Sequence, residues 1–63
     1  MSPHVESFIL PVLRELGRGT VLKTGTVAEI LGYSPRRVYD FFRELENVGL
    51  LKRNSHGRVW RLA

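Results

Sequence analysis

Arg36 and Arg37 stand side by side directly after Ser34-Pro35, and Asp40, Arg43 and Asn47 follow at helical spacings. A guanidinium presents its donors in a planar fork that matches the paired acceptors of a phosphate or of a guanine edge, N7 and O6. Asp40 follows Arg36 at i,i+4 and Arg37 at i,i+3, close enough on one helix to hold a guanidinium in a single rotamer. Without such a task the same pair is a surface ion pair worth under ~1 kcal/mol. Turning about 100° per residue from Val38, Phe41, Phe42, Leu45 and Val48 gather on one side of this helix. Arg36, Asp40, Arg43 and Asn47 collect opposite, with Tyr39 on one flank and Arg37 and Glu44 on the other. A solvated face of mixed charge is the plain alternative. Arginines in a first turn, however, oppose the helix dipole by ~0.3–1 kcal/mol, so a sequence shaped for stability alone would carry acids there. Tyr39 offers a hydroxyl to a phosphate or its ring to the core, and both readings stand.

The elements that must position these residues are legible as punctuation and period. Ser34 caps the helix and Pro35 takes its first position; the helix is expected to run to Val48, with Gly49 closing it. Upstream, Ser2-Pro3 opens a first helix in which Val5, Phe8, Ile9, Val12, Leu13 and Leu16 form the buried stripe, and Gly17 is its C′ residue. Pro11 inside this run predicts a kink or a later start. Leu10 falls off the stripe, as a homodimer contact or as a singly exposed leucine without consequence. Gly19-Thr20-Val21-Leu22 suits a brief strand. Thr24 or Thr26 then caps a second helix whose apolar side is Val27, Ala28, Ile30 and Leu31, with Gly32 stopping it.

After the third helix, Leu50-Leu51-Lys52-Arg53 and Arg58-Val59-Trp60-Arg61-Leu62 read as two strands around Asn54-Ser55-His56-Gly57. Trp60 and Leu62 share a face and pack on the helices; Trp60 is assigned to the core rather than to stacking on a base. Helix, short strand, helix, helix, hairpin is the order of a winged helix-turn-helix, an α+β fold, and 1–63 reads as a single domain.

Composition narrows the partners. Hydrophobic residues make up 43% of the 63 positions, ordinary for a globular chain with a small core. The absence of cysteine excludes disulfides and thiolate metal sites, and His4 and His56 alone supply too few ligands for zinc, so no cofactor is expected. No run approaches the ~20 apolar residues of a membrane span, and no signal-peptide pattern precedes Glu6 and Pro11. No nucleophile–base pair, carboxylate cluster or phosphate-cradling glycine loop marks an enzyme. The net charge is +4. Up to Tyr33, Arg14, Arg18 and Lys23 balance Glu6, Glu15 and Glu29, so the whole excess lies from Ser34 onward, and no acid follows Asn47. Such polarity favours a polyanion.

Arg36-Arg37-Val38-Tyr39-Asp40 resembles the Arg-Arg-Xaa-Tyr-Asp recognition-helix signature of the retinoblastoma-associated cell-cycle transcription factors and their DP partners. The likeness continues through Leu45-Glu46-Asn47-Val48-Gly49-Leu50-Leu51 and extends to Trp60. It implies that Arg36 and Arg37 read guanines with Tyr39 and Asp40 in support. The first half is similar instead to generic winged-helix regulators of archaea, bacteria and their viruses, so contact geometry alone is carried over.

The sequence is therefore expected to bind double-stranded DNA. Arg36, Arg37, Tyr39, Asp40, Arg43 and Asn47 face bases in the major groove. Ser34, Lys52, Arg53, Asn54, Ser55, His56, Arg58 and Arg61 contact the backbone or the minor groove. A protein-interaction module of the same fold is the alternative; there Phe41, Leu10 or Tyr39 would lie exposed beside an acidic partner. RNA is a weaker option, because Tyr33 and Tyr39 make a poor stacking platform. The expected location is the cytoplasm of a prokaryote or of a virus's host, associated with the nucleoid, or the nucleus of a eukaryote.

Overall fold

The first helix opens as Ser2 and Pro3 require. Ser2 Oγ accepts the backbone N–H of Val5 at 3.3 Å, and the Ser2 carbonyl accepts that of Glu6 at 3.0 Å. A computed structural model describes residues 1–54 and 59–63. Within it the first helix winds as a π-turn over Val5–Ile9 and continues as α1 (Leu10–Leu16). Pro11 is the cause: it has no N–H for the Ser7 carbonyl, and its ring crowds that oxygen. The wider turn, in which the Leu10 N–H donates to Val5 O, relieves the clash.

That extra residue corrects the expected stripe. Everything after the π-turn is rotated by about one position, so Leu10 is buried at 5% exposure beside Ile9 and Leu13, while Phe8 turns outward at 44%. Leu10 is thus a core residue and offers no surface for a dimer.

Gly17 ends α1, though not as a left-handed C′ residue; its φ is −90°, and Gly19 takes the positive φ of 69° instead. Gly17 is needed for space. A Cβ there would stand 2.9 Å from the Leu13 carbonyl oxygen and 3.2 Å from Leu22 Cδ1. The brief strand expected around Leu22 contracts to one antiparallel bridge, in which Leu22 and Trp60 exchange backbone hydrogen bonds of 2.7 and 2.9 Å.

The second helix, α2, spans Thr24–Leu31 with Lys23 as its N-cap residue, and neither Thr24 nor Thr26 caps it. Its buried positions are Val27 and Ala28, with Leu31 half-buried between them on the helical wheel; Ile30 lies outside that stripe and is exposed, against expectation. Gly32, at φ 75°, ends α2 with its N–H on Ala28 O. Three residues later α3 (Pro35–Asn47) begins. Val48 leaves the helix with φ −97°, which is why it is exposed rather than part of the core face. Gly49 at φ 82° then lets the N–H groups of Gly49 and Leu50 return to Glu46 O and Leu45 O, a Schellman closure.

The chain ends in an antiparallel pair, β1 (Leu51–Arg53) and β2 (Trp60–Leu62), in the register Leu51↔Leu62, Lys52↔Arg61 and Arg53↔Trp60. The architecture is α+β, three helices with a two-stranded sheet. Trp60 sits at the centre of the core, edge-on to Phe42 with centroids 5.2 Å apart, among Ile9, Leu13, Val38, Leu45 and Leu51. The turn expected at residues 55–58, with Gly57 in it, lies outside the described residues.

Candidate nucleic-acid interface

Ser34 starts α3 in the expected way: its backbone is extended (φ −70°, ψ 151°) and its Oγ accepts the Arg37 N–H at 3.2 Å. The helix then divides cleanly. Val38, Phe42 and Leu45 are fully buried, whereas Arg36, Asp40, Arg43 and Asn47 are all exposed on the other side. Arg36 Nε lies 3.3 Å from Asp40 Oδ1, the i,i+4 pair that the spacing predicts. Both partners are open to solvent, so the contact orients the guanidinium more than it stabilises the helix.

Arg37 takes a different position. Its guanidinium carbon lies 4.8 Å from the Tyr33 ring centroid and 5.5 Å from that of Phe41. His4 joins the same cluster: its Nε2 is 3.0 Å from the Tyr33 hydroxyl, and its ring stacks on Phe8 at 5.4 Å. The cluster ties the start of the first helix to the first turn of α3. Tyr33, Arg37 and Phe41 are spaced by four, a signal present in the sequence; the part played by His4 and Phe8 depends on the π-turn and had none.

Further along, Tyr39 is half-buried, edge-on to Trp60 at 6.1 Å, and its hydroxyl accepts from Arg43 at 3.4 Å and Arg53 at 3.5 Å. Hydrogen bonding to Arg43 and then to Arg53 holds the phenol below its ordinary 10.0. So both readings of Tyr39 hold in part: its ring leans on the core and its hydroxyl collects cations. Arg53, expected on a phosphate, turns back onto the domain. It meets Glu46 at 2.9 and 3.3 Å and lies 4.4 Å over the Trp60 ring. Glu46 also meets Arg43 Nε at 3.4 Å. This acid bridges α3 and β1, a contact across the helix end that periodicity does not reveal.

A pH dependence follows. The Arg53 hydrogen bonds hold the Glu46 carboxyl below its ordinary 4.5 and raise Arg53 in turn. A carboxyl depressed on folding adds stability that is complete above its unfolded pKa and disappears as pH falls through the lower folded value. The melting temperature is therefore expected to fall as the pH drops below about 4.5. Glu46→Gln is expected to flatten that limb, and a melting series of both proteins from neutral pH downwards reads it. Identical limbs would mean that the pair is not kept in solution.

On the hairpin, Lys52 and Arg61 are exposed and directly opposed. Asn54 closes the strand ends, its N–H on Val59 O at 2.8 Å and its Oδ1 accepting from the Val59 N–H at 3.3 Å. Ser55, His56 and Arg58 lie outside the described residues. Among the described residues no group of three metal-ligating side chains comes together, and no helix is long and apolar enough to cross a membrane. No protein-family model, curated protein or solved structure matches the chain.

Proposed function

We propose that the chain is a winged helix-turn-helix domain that binds duplex DNA with sequence preference, as a transcriptional regulator does. One observation carries the reading. The first turns of α3 present Arg36, braced by Asp40, beside Arg43 and Asn47, on a face wholly separate from buried Val38, Phe42 and Leu45. A major groove ~12 Å wide admits such a helix, and residues near its N-terminus reach the base edges. Arg36 is the reader, Arg43 and Asn47 extend the contact, and Arg37, held by Tyr33 and Phe41, lies on the flank. Arg53 has its guanidinium committed to Glu46 and Trp60, and its role is to support Tyr39 and Arg43 from below. The resemblance of Arg36 to Asp40 to the cell-cycle factors points to guanines as the bases read.

The interaction-module alternative needs Phe41, Leu10 or Tyr39 exposed; Leu10 is buried and the other two are half-buried.

Titration of a labelled duplex at several salt concentrations tests the proposal. Affinity is expected to fall by at least about 40-fold between about 50 and 200 mM salt, the loss for three released phosphate contacts. No duplex binding at the lower concentration would sink it.

A further inference from the structure

Arg14 on α1, Arg18 in the turn that follows and Arg61 on β2 are distant in sequence and adjacent in the fold. Together with Gly17, Gly19 and Thr20 they line an open depression of about 410 Å³. Among the described residues the one ion pair any of the three makes is Arg18–Glu15, at 3.4 Å and largely exposed. Arg61 stands directly opposite Lys52 on the sheet. Like charges at such a position repel, and nothing in the packing of the pair compensates. Two glycines in the lining leave room for a bulky anion to approach the backbone.

This basic surface does not belong to the α3 face. Trp60 packs against Phe42 of α3, and side chains alternate along a strand, so Arg61 leaves the sheet on the side away from α3. Lys52 does the same relative to buried Leu51. Duplex DNA keeps its direction over ~150 bp. A duplex seated on α3 therefore does not curl round a body whose Cα extents are 28 × 23 × 21 Å to reach the far side of the hairpin.

We propose that Arg14, Arg18, Arg61 and Lys52 form a second phosphodiester-binding surface, which seats the backbone of another duplex without reading its bases, so that one chain bridges two duplexes. Arginine forks suit phosphate oxygens, and with no base edge in reach the contact is independent of sequence. The bridging rests on the DNA-binding reading of α3 for the first duplex.

Native mass spectrometry of the chain with an excess of short duplex at low salt tests it. The wild type is expected to carry two duplexes on one chain. Arg14→Gln/Arg18→Gln/Arg61→Gln is expected to carry one and to keep its base preference, while Arg36→Ala/Arg43→Ala carries one and loses that preference. Should Arg61 matter for folding, Arg14→Gln/Arg18→Gln, which leaves the hairpin intact, is expected to weaken the second equivalent about 10-fold or more. One duplex per wild-type chain overturns the inference, as does a folded triple variant that still carries two. If the wild type holds one duplex with base preference, bridging alone fails; if it holds none, the reading of α3 fails with it.

Discussion

Trp60→Ala is expected to leave the chain largely unfolded at room temperature. The indole is 1% exposed, packs edge-on against Phe42 and Tyr39, supports the Arg53 guanidinium, and exchanges backbone hydrogen bonds with Leu22 from the same residue. Truncating a buried Trp costs about 3–5 kcal/mol. A single core in a chain this short rarely supplies more than about 3–5 kcal/mol in total, so the loss equals the whole margin. Urea unfolding followed by circular dichroism reads the effect. Trp60→Phe, which keeps a ring against Phe42, is expected to retain a cooperative transition at lower urea. A Trp60→Ala protein unfolding within about 1 kcal/mol of the wild type would show that α3 and the hairpin do not depend on one another.

Arg36→Ala is expected to do the opposite: spare stability and remove base preference. Arg36 and Asp40 have side chains 83% and 58% exposed, so breaking their pair shifts unfolding by no more than about 0.5 kcal/mol. A bidentate arginine–guanine contact discriminates by about 1–3 kcal/mol, or roughly 5- to 150-fold between the preferred site and a mismatched one. Selecting bound sequences from random duplexes identifies the site, and titration of matched and mismatched duplexes with both proteins reads the difference. Affinity for unrelated duplexes is expected to change little. Asp40→Asn, which leaves the guanidinium in place but loosens it, is expected to lie between. An Arg36→Ala protein that selects the same site with undiminished discrimination would remove α3 from the reading role.

The pattern of success along the chain has a physical basis. The capping of α3 by Ser34, its closure at Gly49, the Arg36–Asp40 pair and the core positions Val38, Phe42 and Leu45 all follow from local rules, in which a residue's neighbours within one helical turn decide its place. The misses cluster where something non-local or an irregular turn intervened. Phe8 and Leu10 exchanged places because one proline widened one turn, and a wheel drawn at a constant angle carries that error to every later residue. Ile30 lies exposed because the short α2 covers only a narrow stripe of the core. Val48 left the wheel because the helix had already ended.

The amino-acid sequence by itself determined where α3 begins and ends, which of its sides is charged, and that the excess of positive charge follows Ser34; these depend on hydrogen bonds and periodicities spanning a few residues. Tertiary structure alone decided which cations are free to meet a partner. It turned Arg53 inward onto Glu46 and Trp60, laid Arg37 across Tyr33 and Phe41, and brought Arg14 and Arg18 beside Arg61. A long, flexible guanidinium goes to whichever carboxylate, ring or backbone the fold sets within its reach, and only the packing of α1, α3 and the hairpin on one another defines those neighbours.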